Sequence, residues 1–215
     1  MITKEVLGIA RAHEYLVETV YTTGRKIVTE EGELTLESSP ISILVKNPIY
    51  GNRISSASHF KGKLLEEYTN SILNGTKSTF DYDYHSRLFN DCGNQIDYII
   101  KKIKENPTTR RAVATTWLPQ IDSNCMNVPC LQYVQFLFRN EQLDMHVLFR
   151  SNDVLSASGA NMYALTSLLE TVACKLHLKP GYYEHIIISP HLYYRRDSEE
   201  LKHFIQILQL REKVI

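Results

Sequence analysis

The stretch from Asn127 to Asp153, "NVPCLQYVQFLFRNEQLDMHVLFRSND", constrains this chain more than any other. From Leu143 its second half alternates strictly. Leu143, Met145, Val147 and Phe149 share one face, and Asp144, His146, Leu148 and Arg150 share the other. That period of two is the mark of a strand with one buried face, and the apolar run before it reads as the partner strand of a hairpin. Such a hairpin sets residues near 131 and 149 side by side. It therefore brings Cys130, which follows a proline at one end, close to Arg150 at the other.

The rest of the chain alternates less regularly. Residues 4–22 have helical spacing, and "KIVTEEGELTLESSPISILV" reads as a β-hairpin turning at Glu31-Gly32. "SHFKGKLLEEYTNSILNG" is helical through Leu64, Leu65, Tyr68 and Ile72, with Gly75 where a C-terminal stop belongs. "FDYDYHSRLF" reads as an aromatic loop or short strand. Ile96, Ile99, Ile100 and Ile103 stripe one face of a helix that Pro107 ends. Later come a helix across "NMYALTSLLETVACKLHL", a strand "YYEHIIISPHLYYRR" and a terminal helix "SEELKHFIQILQL". Strands and helices mix without a βαβ repeat, so the expected class is α+β: a mixed β-sheet packed with helices. A chain of 215 residues suits a single domain spanning 1–215, or one with a small appendage.

Composition excludes several functions. The chain carries 24 basic and 24 acidic residues. With no global positive field, any anion site is local, and neither nucleic acid nor membrane is an expected partner. The four cysteines form no CxxC pair, so no metal is expected. No apolar run approaches the roughly 18 residues that span a bilayer. No signal or transit peptide opens the chain, and a cytoplasmic location with reduced thiols is the expectation.

Among the cysteines, Cys92, Cys125 and Cys174 read as small hydrophobes. Cys130 has a different neighbour: a nucleophilic cysteine needs a stabilised thiolate, and the guanidinium of Arg150 can supply the field. Arg110 and Arg111 are adjacent arginines of the kind that either stay solvated or clamp a phosphate in bidentate fashion. His191 and Tyr193 share a parity near the end of a strand, where the pair can grip sugar hydroxyls.

Taken in order, these segments resemble the thymidylate synthase family. "TTRRAVATTWLP" resembles its arginine-pair strand, "NVPCLQ" its Pro-Cys segment and "FRSND" its Arg-Ser-x-Asp motif. "SGANMYALTSLL" resembles the Asn-bearing start of its long helix, and "LKPGYYEHIIISPHLY" its His-x-Tyr strand. The short N-terminal part is similar to compact archaeal members.

The resemblance implies a set of roles. Cys130 would attack C6 of dUMP, with Arg150 beside the thiolate and the phosphate. Ser151 would complete the phosphate site, and Arg110 and Arg111 would reach it from the other subunit of a homodimer. His191 and Tyr193 would hold the 3′-hydroxyl. Asn161 would read the uracil edge, since cytosine-specific relatives carry aspartate there. Asp153 would bind the pterin of the one-carbon donor, either 5,10-methylene-tetrahydrofolate or methylene-tetrahydromethanopterin. Tyr82, in "YDYHSR", would serve the water network that removes the C5 proton.

The chain also departs from the family. Leu131 stands where histidine is usual, and Phe149 where glutamine is. Lys63 falls where a general-base glutamate belongs, leaving Glu66, Glu67 or another group for that task. Trp117 is the only tryptophan, so the aromatics that shield the last intermediate from water have no counterpart. C5-hydroxymethylation of dUMP or dCMP is therefore the alternative outcome. A non-catalytic nucleotide- or RNA-binding module is the more distant one, disfavoured by an intact Cys130.

Overall fold

The computed structural model describes residues 1–76 and 83–212. The chain begins with strand β1 (Ile2–Val6) and turns at Gly8 into helix α1 (Ile9–Thr23). The helix expected over residues 4–22 is thus split. The reason is distant in sequence: β1 lies parallel to β4 (Ile41–Val45), Ile2 opposite Ile41 and Val6 opposite Val45. Between them, β2 (Arg25–Val28) and β3 (Leu34–Glu37) form the expected hairpin, with Gly32 at φ 80° in its turn.

Helix α2 (Lys63–Asn74) ends on Gly75 at φ 69°, a left-handed stop that suits glycine. The segment expected as an aromatic loop or strand continues, in its described part, as helix α3 (Tyr84–Phe89). The Asp83 side chain caps it by accepting from the His85 backbone N–H. Helix α4 (Gln95–Glu105) follows, capped by Asn94, with Ile96, Ile99, Ile100 and Ile103 all buried as its periodicity requires. Then come β5 (Val113–Thr115), the short α5 (Pro119–Asp122), β6 (Leu131–Arg139) and β7 (Gln142–Asp153). The last elements are α6 (Ser158–Leu176), β8 (Lys179–Leu192) and α7 (Ser198–Glu212).

Among the described residues the strands make one eight-stranded mixed sheet, with β1, β4, β8, β7, β6 and β5 side by side and β3 pairing both β2 and β8. β7 and β8 run parallel through the α6 crossover, while β6–β7 and β4–β8 are antiparallel. The class is α+β, a mixed sheet packed with helices, as expected.

Register explains the core. Ile41, Ile187, Phe149 and Leu131 stand in one row across four strands. Ile43, His185, Val147 and Val134 form the next, and Val45, Tyr183, Met145 and Phe136 the third. Every member of these rows is buried. They meet apolar residues of α1 (Leu16, Val17, Val20), α4 and α6 (Leu165, Leu168, Leu169, Val172) in one cluster. Each such side chain stabilises the fold by about 1.5–3 kcal/mol when fully buried. The opposite face carries Tyr133, Leu148, Ile186 and Leu137, all half-buried, and Ile188, which is 49% exposed. No described helix is long and apolar enough to cross a membrane.

Candidate active site

The expected meeting of Cys130 and Arg150 is present. Leu131 pairs with Phe149, and the Arg150 backbone N–H donates to the Cys130 carbonyl at 2.9 Å. The Arg150 side chain then folds back along the segment before β6. Its Nε donates to the Pro129 carbonyl at 3.0 Å, and its Nη2 to the Val128 carbonyl at 2.9 Å. The same Nη2 lies 3.7 Å from Cys130 Sγ. Two carbonyls thus hold the fork so that one nitrogen faces a half-exposed thiol. The Leu131 N–H, next along the chain, donates to the Tyr84 hydroxyl at 3.1 Å and ties this segment to α3.

The parallel pairing of β7 with β8 brings the next residues together. Ser151 lies opposite Ser189 and Asp153 opposite His191. Ser151 Oγ is 3.3 Å from His191 Nδ1, and the His191 ring meets Tyr193 edge-on at 5.3 Å between centroids. The Arg196 guanidinium lies over the Tyr193 ring, 3.7 Å from its centre. Asp153 Oδ1 accepts from the Leu155 and Ser156 N–H groups at 3.1 Å each, while Oδ2 meets Arg196 Nη2 at 3.2 Å. Burial pushes the Asp153 carboxyl above the usual carboxylate range, opposed by the Ser156 N–H. Burial likewise raises the Tyr193 phenol, which keeps it a donor at neutral pH.

The first turn of α6 continues from this point. Ala157 N–H donates to the Asp153 carbonyl, and Asn161 N–H to the Ala157 carbonyl. Asn161 is 5% exposed, and its Oδ1 accepts the Tyr68 hydroxyl from α2.

Behind these residues runs a buried polar chain. Asn152 Oδ1 accepts from Ser158 Oγ at 2.6 Å and from His185 Nε2 at 3.2 Å. An amide oxygen cannot donate, so His185 carries its proton on Nε2, and Nδ1 accepts from Tyr183 Oη at 2.7 Å. Burial drives the His185 pKa down to about 3, so the ring is neutral. His13 on α1 is a second buried neutral histidine, pushed down to about 4. Its Nε2 donates to the Val154 and Leu155 carbonyls at 3.0 and 3.2 Å.

The sequence readings therefore separate. Cys130, Arg150, Ser151, Asp153, His191 and Tyr193 are joined by direct pairing or contact, and Asn161 follows one helical turn on. Arg110 and Arg111 are not with them. They precede β5, which pairs with β6 from Thr115 opposite Tyr133 to Val113 opposite Gln135, and Ala112 accepts from Phe136 N–H. That is well along β6 from Cys130, on the order of 20 Å at strand spacing. They line a separate recess of about 280 Å³ with Asn106, Thr108 and Thr109. Tyr82 lies outside the described residues.

Two expectations are corrected. Cys92, Cys125 and Cys174 are exposed rather than packed as small hydrophobes. Leu64, counted on the apolar stripe of α2, is 54% exposed. Glu66 lines a cleft of about 550 Å³ between α2 and α6, and Glu67 pairs with Lys63 at 3.5 Å in solvent. Neither glutamate meets Asn161; Tyr68 does. Its signal in the sequence was a hydroxyl-bearing aromatic on the buried stripe beside Ile72. Nothing local marked the Tyr183–His185–Asn152 chain or Arg196.

The thymidylate synthase family pattern matches residues 46–211. A relative from Methanocaldococcus jannaschii, bearing the name "Putative thymidylate synthase", is 40% identical over 207 residues, 92% of this chain and 93% of the relative. A protein of the same name from Methanosarcina mazei is 38% identical over 177 residues, 81% of each chain. The "Thymidylate synthase" of Mycoplasma genitalium is 27% identical over 193 residues, 90% of this chain and 66% of the relative.

Proposed function

The chain belongs to the thymidylate synthase family, and on that premise we propose that it converts dUMP to dTMP by reductive methylation at C5. The observation that carries the reading is Arg150 Nη2 at 3.7 Å from Cys130 Sγ, with the guanidinium held by two backbone carbonyls. A fixed cation beside a half-exposed sulfur is what a thiolate nucleophile requires.

In this reading Cys130 Sγ bonds to C6 of dUMP, and the C5–C6 electron pair moves toward O4, making C5 nucleophilic. Asn161 faces O4 and N3–H and stabilises the charge that develops on O4. His191 and Tyr193 hold the 3′-hydroxyl, and Arg150 with Ser151 holds the phosphate. Once C5 had bonded to the incoming carbon and lost its proton, the bond between that carbon and the carrier's nitrogen would break, and hydride added to the resulting methylene would complete the methyl group. The S–C6 bond breaks and Cys130 returns as thiolate. The reduced pterin carrier, when bound, supplies the methylene and the hydride and leaves at the dihydro level. Asp153 fits a pterin ring: two backbone N–H groups orient its carboxylate, leaving Oδ2 toward Arg196 as an acceptor for ring N–H groups. The carrier is of the tetrahydrofolate or tetrahydromethanopterin type, and the reaction is cytoplasmic.

The protein acts as a homodimer in this reading. Arg110 and Arg111 are remote from their own Cys130, and the sheet face opposite the buried rows offers Tyr133, Leu148, Ile186 and Ile188 for pairing.

The test is release of tritium from dUMP labelled at C5, with methylene-tetrahydrofolate present, followed by chromatographic identification of the nucleotide. Release with dTMP as product is expected. Hydroxymethyl-dUMP would assign the same covalent chemistry to water capture. No release with either methylene carrier would overturn the reading.

A further inference from the structure

Of the side chains on α2, one reaches the amide on which base recognition rests. Tyr68 is half-buried, its ring packed edge-on against Phe60 at 5.8 Å between centroids and 84° between planes. Its hydroxyl donates to Asn161 Oδ1. Among the described residues the Asn161 side chain has no other hydrogen-bond partner. The asparagine sits in the first turns of α6, buried to 5% exposure, so its Cα position is fixed and the amide has one remaining freedom. That freedom is rotation about the bond to the carbonyl carbon, which exchanges oxygen for nitrogen.

This exchange decides which base the residue can read. Uracil presents an acceptor at O4 and a donor at N3–H. Cytosine presents a donor at N4–H₂ and an acceptor at N3. An amide with Oδ1 toward N3 and Nδ2 toward O4 reads uracil, and the same amide turned over reads cytosine. Shape alone does not separate the two orientations, because the ends of the amide are nearly identical in size.

We propose that Tyr68 is the positioning residue that gives this site its preference for uracil nucleotides, by donating to Asn161 Oδ1 and so fixing the orientation of the amide. The oxygen has two lone pairs, one for the Tyr68 hydroxyl and one for N3–H of the base. Turning the amide over to suit cytosine breaks the bond from Tyr68. Losing one neutral hydrogen bond in a buried setting corresponds to about tenfold in relative affinity. The inference rests on the dUMP reading given above, and it assigns to α2 a hydroxyl where a carboxylate was expected.

The experiment is equilibrium titration of dUMP and dCMP against the full chain and three variants: Tyr68→Phe, Asn161→Asp and the double variant. The intact protein is expected to prefer dUMP, and Tyr68→Phe to narrow that preference by about tenfold while still unfolding in one cooperative thermal transition. In the Asn161→Asp background the carboxylate has no distinguishable ends, so removing the hydroxyl is expected to leave the dUMP-to-dCMP ratio unaltered. Tyr68→Met, which keeps apolar bulk without a hydroxyl, serves if Tyr68→Phe does not fold. An unchanged preference in the folded hydroxyl-free variant would overturn the inference, as would an equal narrowing in the Asn161→Asp background. If the intact protein binds neither nucleotide, the dUMP reading itself fails and the role of Tyr68 falls with it. Binding of dUMP with unchanged selectivity in the variant would remove the Tyr68 inference alone.

Discussion

Leu131 and Phe149 stand directly opposite each other on β6 and β7, and neither has any exposed surface. These are the two positions where the chain departs from the polar pair usual in its family, so the departures form a single apolar contact beneath Cys130 and Arg150. Phe149→Gln alone would bury an amide against leucine, and a loss of about 2–4 kcal/mol of stability is expected from lost burial and an unpaired polar group. Introducing Leu131→His together with it gives the amide a partner. The double variant is expected to be more stable than the sum of the singles by about 0.5–3 kcal/mol, measured by urea unfolding.

Arg150 makes three contacts with the segment it guards, two to carbonyls and one to the thiol. Lysine keeps the charge but lacks the planar fork that satisfies the Val128 and Pro129 carbonyls together. Arg150→Lys is therefore expected to lower kcat by about a hundredfold through misplacement of the reacting groups. Cys130→Ser should abolish turnover while leaving dUMP binding measurable by titration. Turnover by Cys130→Ser would sink the covalent mechanism.

His13 and His185 introduce a pH dependence whose sign follows from their burial. Both are held neutral in the fold, near pKa 4 and 3, whereas an unfolded histidine titrates near 6.5. Below about pH 6.5 the unfolded chain therefore binds more protons than the native one, and stability falls as pH falls. The loss approaches about 1.4 kcal/mol per pH unit for each histidine until its folded pKa is reached. Above pH 7 neither contributes a slope. His13→Gln can still donate to the Val154 carbonyl and does not titrate. Urea midpoints between pH 5 and 6.5 should show a shallower slope in that variant, and an identical slope would contradict the assignment.

The hairpin was legible because alternation reports burial directly: Leu143, Met145, Val147 and Phe149 face the core as their period demands. The opposition of 131 and 149 follows from that hairpin, and with it the nearness of Cys130 to Arg150. β1 was hidden because its partner, β4, lies beyond a helix and a hairpin, and a parallel edge strand leaves no local turn signal. The α2 contribution was left open by the sequence for a geometric reason. Successive helical residues point about 100° apart, so Glu66, Glu67 and Tyr68 face three directions, and which one meets Asn161 depends on how α2 rolls against α6. The polar chain from Tyr183 through His185 to Asn152 joins two strands and a helix start, a convergence that sequence spacing does not encode.

That placement of α2 makes a further test. Glu66 faces the α2–α6 cleft and Glu67 the solvent, so Glu66→Gln and Glu67→Gln are each expected to leave kcat/KM within about twofold, as surface changes away from the chemistry do. A loss of a hundredfold in either variant, by the tritium-release assay, would return the proton-handling role to that carboxylate.

The remote arginines carry the last prediction. Arg110 and Arg111 are exposed and far along β6 from the thiol of their own chain, and in the proposed homodimer they reach the phosphate near Arg150 of the second copy. The sheet face that carries Tyr133, Leu148, Ile186 and Ile188 gives that copy a surface to meet. Arg111→Ala loses phosphate contact at both sites of its dimer, and Cys130→Ser loses the nucleophile at both. In a mixed dimer one site combines the intact Cys130 of the first chain with the intact Arg111 of the second, while the other site lacks both. Mixing the two inactive variants under conditions that exchange subunits should therefore restore activity, toward one functional site per heterodimer. Heterodimers verified by differential tagging that show no activity would mean the arginines do not serve the neighbouring site.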